Sequence, residues 1–209
     1  MKNFILSVFV VVISLTSMAQ NNQEAEEILQ SLEQEFSGTS LISINFSMVL
    51  INIEANLKQN KNGHLTVSNN QFDLQLDNIH IICDGKTKWT ILKEDEMIQI
   101  SLLEEDEDEV FNLSEYFSNY KDRFNYTMLP SNAPLQIVEL SPIDEELDTE
   151  RIAVHYDKSR KRITQITEEN KEGTQTVFNI LSYEKKELGS HSFTLDQSLY
   201  SDFEIDDLR

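Results

Sequence analysis

Apolar and polar positions along this chain follow two rhythms. From Ala25 to Phe36 the period is helical: Ala25, Ile28, Leu29, Leu32 and Phe36 recur three or four residues apart, with Glu and Gln between them. Asn21 or Asn22 can cap the start, Glu24, Glu26 and Glu27 suit the first turns, and Gly38 ends the segment. The pattern predicts one amphipathic helix whose apolar side must lie on something. After it the period changes to two. Ile42, Ile44, Phe46, Met48 and Leu50 share one face of a long extended run, Ser40 to Leu57. Val49, Ile51, Ile53, Ala55 and Leu57 then carry the apolar character on the other face, so a bulge or sharp coil is expected in mid-strand.

Shorter strands follow. Gly63 to Val67 puts Leu65 and Val67 together, and Phe72, Leu74 and Leu76 alternate with Asp73 and Gln75. Ile79 to Cys83 runs into Asp84-Gly85, a tight-turn signal, and then into Lys88 to Leu92. Met97 to Leu102, Phe124 to Leu129, Leu135 to Leu140, Arg151 to Tyr156, Arg162 to Thr167 and Thr174 to Tyr183 complete the set. A second helix is expected near Ser114 to Tyr120, capped by Asn112 or Ser114. The reading is mainly β with a few helices. A series of antiparallel hairpins this long curls into a barrel or stacks as a sandwich, which protects its edges. The pattern supports a curved sheet without choosing between the two.

The first residues change the picture by assigning a compartment. Lys2, the apolar run Phe4 to Leu15 and the small residues Ser17 and Ala19 form a secretory signal peptide with cleavage after Ala19. The run is shorter than the roughly 20 residues a membrane span needs. Removing 19 of 209 residues leaves 190, read as a single domain over 20–209. The formal charge of −20 argues against nucleic acid, whose phosphates need Lys and Arg, and against adhesion to anionic headgroups.

Candidate chemistry is sparse. Cys83 is the single cysteine and sits in an apolar strand, which reads as a buried, inert thiol. His64, His80, His155 and His191 are scattered without metal-ligand spacing, and neither a phosphate loop nor a nucleophile elbow is present. With 37 acidic residues, a chance carboxylate pair carries no weight as an acid–base site. The run Glu104 to Glu109 lacks the glycine a calcium loop wants and is expected to be a solvated loop. No catalytic residue, metal or cofactor is assigned.

The order of elements resembles the periplasmic outer-membrane lipoprotein carrier family, LolA, in a divergent form. The resemblance rests on the signal peptide leading into an amphipathic helix, on Ile42, Ile44 and Phe46, and on Gly63-x-Leu65-x-Val67. The strand with Phe72, the hairpin Asp84-Gly85-Lys86-Thr87-Lys88-Trp89, the strand end Glu139-Leu140-Ser141-Pro142 and the terminal Asp207-Leu208-Arg209 complete it. It implies an incomplete antiparallel β-barrel with helices as a lid over a hydrophobic cavity. It also implies a monomeric periplasmic shuttle that takes lipoproteins from an inner-membrane ABC-type extraction complex to an outer-membrane receptor. On this reading acyl chains contact Ile42, Ile44, Phe46, Met48, Leu50, Leu65, Val67, Phe72, Leu74, Trp89 and Ile91. The lid presents Leu29, Leu32, Phe36, Tyr116 and Phe117. Family members carry a basic residue and a proline after the Gly-x-Leu-x-Val strand, the arginine holding the lid closed. Here Asn69-Asn70 stands there, so what latches the lid is open, as is whether the cargo is a lipoprotein or another lipid. A lipid- or peptide-sensing interaction domain of the same fold is the alternative from a different class, and a hydrolase is a more distant one.

Overall fold

A computed structural model describes residues 22–38, 40–103, 117–118, 120–187, 189 and 191–209. The signal peptide, the acidic run Glu104 to Glu109, Tyr116 and most of the helix expected over 114–120 lie outside the described residues. Helix α1 spans 22–36, and a single helical turn, α2, spans Tyr120–Arg123. The strands are β1 (Leu41–Asn52), β2 (Leu57–Ser68), β3 (Gln71–Leu76), β4 (Ile79–Cys83), β5 (Thr87–Leu92) and β6 (Met97–Leu102). They continue with β7 (Phe124–Leu129), β8 (Leu135–Pro142), β9 (Thr149–Asp157), β10 (Arg162–Asn170), β11 (Thr174–Lys186) and β12 (Glu204–Asp207).

All twelve strands form one open sheet in the order β12-β6-β5-β4-β3-β2-β1-β11-β10-β9-β8-β7. Every neighbouring pair is antiparallel except β12 with β6, which is parallel. One buried cluster runs without a break along the sheet from Cys83 on β4 to Phe124 on β7, with α1 against it. The sheet is curved and does not close on itself, so the architecture is an incomplete antiparallel barrel. The sandwich alternative is thereby set aside.

Turn chemistry sets the register. Asp84 accepts hydrogen bonds from the backbone nitrogens of Lys86 at 2.9 Å and Thr87 at 2.8 Å, and Gly85 takes φ +94° between β4 and β5. Gly63 has a packing role. It faces Phe46 directly across the β1–β2 ladder, and a β-carbon there would overlap the Phe46 ring.

Three expectations need correction. The long run does not extend to Leu57, because Ile53–Asn56 is a turn with Ile53 exposed. β2 begins at Leu57 rather than Gly63: the polar stretch Lys58–Asn62 is extended because it pairs with the far half of β1. The bulge exists, but it belongs to β11. Asn45 pairs with Ser182 and Phe46 with Ile180, which leaves Leu181 as the extra residue, while β1 itself keeps an unbroken alternation.

Candidate functional site

Residues paired directly across an antiparallel ladder share a face of the sheet, so the register assigns every side chain to a side. Ile42, Val67, Phe72 and Cys83 form one row across β1 to β4, and Ile44, Leu65, Leu74 and Ile81 form the next. The same face continues in the other direction through Met48, Phe178, Ile166, Val154, Val138 and Met128. This is the concave face. Nearly all of these residues are buried or packed against the buried cluster, as are Leu140, Ile152, Tyr156 and Ile163.

Its cover is α1. Ala25, Ile28, Leu29, Leu32 and Phe36 are all buried in the same cluster as the strands, as the helical period requires. Phe117 stacks on Phe36 with ring centroids 5.6 Å apart and planes 16° apart, and Tyr120 meets Tyr126 edge-on at 5.6 Å. The helix thus lies in the trough of the curled sheet, with Phe117 and α2 beside it.

The rim of this cover is ionic. Glu24 accepts from Lys158 at 2.7 Å and from the Gln136 side-chain amide, Glu26 pairs with Lys121 at 2.5 Å, and Lys185 approaches Glu35 at 3.8 Å. Hydrogen bonds from Lys158 and then Gln136 hold the Glu24 carboxyl below its ordinary pKa, so the contact survives mild acidity. These pairs are exposed or half-exposed, where an ion pair contributes little and is screened by salt. Asn69-Asn70 forms the β2–β3 turn, with Asn69 at φ +53°. Among the described residues, the ionic contacts of α1 are made to Lys158, Lys121 and Lys185 instead.

Of the positions expected to face the cavity, Ile42, Ile44, Phe46, Leu65, Val67, Phe72 and Leu74 are buried on the concave face, with Met48 packed against them. Leu50 has the same orientation but is only half-buried, farther along the β1–β2 hairpin. Leu29, Leu32, Phe36 and Phe117 form the cover. Trp89 and Ile91 are a correction. Trp89 pairs with Ile82 and Ile91 with His80, so both point to the convex face. There they join a second cluster with Ile82, Ile98 and Ile100, covered by Leu195, Tyr200 and Phe203 from the C-terminal segment.

The second half of the trough lies beyond the positions that the sequence assigns to it. Val138, Leu140, Ile152, Val154, Tyr156, Ile163, Ile166 and Phe178 contribute as much of the concave face as the first strands do. Their signal was the alternation Val138/Leu140 and Ile152/Val154/Tyr156, opposite polar partners, in strands already predicted.

No protein-family model matches the chain, and no curated protein matches its sequence. In fold it is similar to an uncharacterized conserved protein from Thermus thermophilus, at 10% identity over 88% of this chain and 99% of that one, with a TM-score of 0.55. A LolA superfamily protein from Nitrosomonas europaea is similar over 82% of this chain and 98% of that one, at 14% identity and a TM-score of 0.48. Its structural neighbours include LolA-like proteins. Another is a Vibrio parahaemolyticus domain provisionally assigned to outer membrane lipoprotein sorting, at 11% identity over 84% and 99% of the two chains, with a TM-score of 0.47. At 10–14% identity, the likeness to these three structures is one of fold.

Proposed function

We propose that this protein is a periplasmic carrier that holds the acyl chains of lipoproteins against its concave face and moves them from the inner to the outer membrane. The observation that carries the reading is the cover: one amphipathic helix, α1, hides an apolar trough drawn from strands on both sides of the sheet. Burial is worth about 0.8 kcal/mol per methylene, so a bare acyl chain cannot cross water and needs such a trough. Cover and cargo compete for one surface. Hydrophobic attraction is non-directional, so chains of any length and saturation fit once α1 moves aside. The competition also makes release possible, because a returning helix displaces the chain at the acceptor. An ABC-type extraction complex would load the carrier and an outer-membrane receptor would empty it. No bond cleavage and no cofactor enter the cycle.

The test is native mass spectrometry with lipid extraction on protein purified from the periplasm of a Gram-negative host. Co-purifying lipoprotein is the expected result. Phospholipid or fatty acid alone would keep the carrier and change its cargo. A clean apo mass together with no saturable uptake of a fluorescent fatty-acid probe would make the trough a permanently filled core, and the protein an interaction domain.

A further inference from the structure

The two edges of the open sheet are built differently. β12 ends one side with Glu204-Ile205-Asp206-Asp207, three acids in four residues. Charge along an edge strand keeps other chains from pairing with it. β7 ends the other side with Phe124-Asn125-Tyr126-Thr127-Met128-Leu129, which has no charged residue and no proline in a chain that is 26% charged. Its inner side pairs with β8 from Phe124↔Pro142 to Leu129↔Ile137, and among the described residues no strand pairs with its outer side. Every second residue of such a strand turns its N–H and C=O outward. Asn125 and Thr127 are exposed. β7 is an edge without a guard.

A cavity of about 410 Å³ opens at the end of this edge, where the β7–β8 hairpin meets the start of α1. Met128, Leu129, Pro130 and Leu135 give it apolar walls, and Glu24 and Gln136 give it polar ones. Both polar groups have an acceptor to spare. Gln136 donates its amide nitrogen to Glu24, and its own Oε1 is buried without a partner. Glu24 receives Lys158 and Gln136 on the same oxygen, Oε1, which leaves Oε2 over. Hydrogen bonds from Lys158 and then Gln136 hold the Glu24 carboxyl below its ordinary pKa, so it is an anion at neutral pH. Two spare acceptors, one of them charged, call for a cation with several N–H groups. A guanidinium on an apolar stem has that form.

We propose that the outer edge of β7 docks an extended, arginine-bearing segment of a partner protein as an added antiparallel strand, with the arginine in the cavity beside Glu24. In this mode of recognition the backbone hydrogen bonds give affinity, and a pocket for one side chain gives specificity. The formal charge of −20 favours a cationic segment and opposes a second copy, which would bring the same charge to the contact. β7 runs toward the cavity, so an antiparallel partner begins there and carries its arginine at the amino end. The contacts are backbone and polar ones, and the proposal does not depend on the carrier reading.

The experiment measures fluorescence polarisation of labelled hexapeptides on the full mature chain. Arg-Thr-Val-Thr-Val-Thr should bind about tenfold more tightly than its reverse, Thr-Val-Thr-Val-Thr-Arg, the increment of one charge-assisted hydrogen bond. Methylating the valine nitrogens, or the threonine nitrogens, removes the donors of one side of the added strand, and one of the two peptides should lose binding. Thr127→Lys places a charge on the exposed edge and should weaken binding about tenfold without lowering the melting temperature. Glu24→Gln should erase the preference for the amino-terminal arginine. Equal affinity for the two peptides would overturn the proposal, as would full binding by both methylated forms or no binding of any peptide at millimolar concentration. Displacement of the peptide by a fatty acid would place it in the trough, and self-association abolished by Thr127→Lys would give the edge to a second copy. Either result would also overturn it.

Discussion

The sheet carries apolar surface on both sides, and the two covers are built differently. On the concave side the cover is α1, which meets the strands only through side chains: among the described residues no backbone hydrogen bond joins it to the sheet. On the convex side, Trp89, Ile82, Ile91, Ile98 and Ile100 lie beneath the C-terminal segment. That segment is sewn on by backbone. β12 pairs with β6 from Glu204↔Met97 to Asp207↔Ile100, and the Glu204 and Leu208 nitrogens donate to Glu96 and Ile100 at 2.8 Å. The Tyr200 hydroxyl adds a contact at 3.3 Å to His80 Nδ1, whose Nε2 lies 2.9 Å from Asp73. A helix carries its own hydrogen bonds with it when it moves, whereas peeling off β12 leaves β6 with unpaired groups. The concave cover can leave at the cost of side-chain contacts alone, the apolar ones and the ionic rim. The convex cover is part of the sheet.

The sharpest way to break this comparison is to truncate one anchor in each cover. Phe36→Ala should destabilise the protein by about 3–5 kcal/mol, as large-to-small core changes do, and should also raise probe uptake because the closed state competes less well. Trp89→Ala should lower stability by unpacking the convex cluster and leave probe uptake unchanged. Denaturant titrations paired with uptake assays check both. Uptake that follows Trp89 and ignores Phe36 would reverse the roles of the two faces.

Gly63→Ala is the next largest. Its new methyl meets the Phe46 ring, and overpacking of this kind costs about 1–3 kcal/mol. Adding Phe46→Leu should recover part of the loss, a non-additivity that a double-mutant cycle reads directly.

A smaller effect belongs to pH. Burial lowers the pKa of His155. The native state therefore binds fewer protons than the unfolded chain once pH falls below the unfolded value of about 6.5. Stability contributed by neutral His155 is complete above that pH and is lost as pH falls toward the lowered native value. His155→Gln should flatten that part of the stability profile. Glu24 has the opposite placement: its lowered pKa keeps the contact with Lys158 intact until pH falls below the usual carboxylate range. The smallest stability change is expected from Lys121→Gln with Lys158→Gln, which loosens the rim of α1. Uptake kinetics should quicken with little change in melting temperature, and added salt should mimic the variant.

How much of this was legible in the residues follows from the same two faces. Alternation located β1 to β11 and the concave set from Ile42 to Leu74, and the helical period located the cover. Alternation says that a strand has two sides without saying which side is which. Alternation alone therefore allows Trp89 and Ile91 in the trough, although Trp89 pairs with Ile82 and Ile91 with His80, both on the convex side of β4. The clue was present: Ile79, Ile81, Ile82 and Cys83 make β4 apolar on both sides, which is the mark of a strand covered twice. β12 was invisible because Glu204-Ile205-Asp206-Asp207 has no strand pattern of its own and is extended only through β6. Lys58 to Asn62 was missed for the same reason, as its partner β1 supplies the order.

The central claim is that α1 moves and the C-terminal segment does not. Pulsed electron–electron distance measurements test it on two spin-label pairs placed at exposed positions, Ser31 with Thr127 across the concave cover and Glu94 with Asp202 across the convex one. Cys83 is buried and would be replaced by Ser to keep labelling specific. With a saturating acyl-ester probe, the account predicts a longer and broader Ser31–Thr127 distance and an unchanged Glu94–Asp202 distance. A Ser31–Thr127 distance that stays fixed while the probe is bound would contradict it.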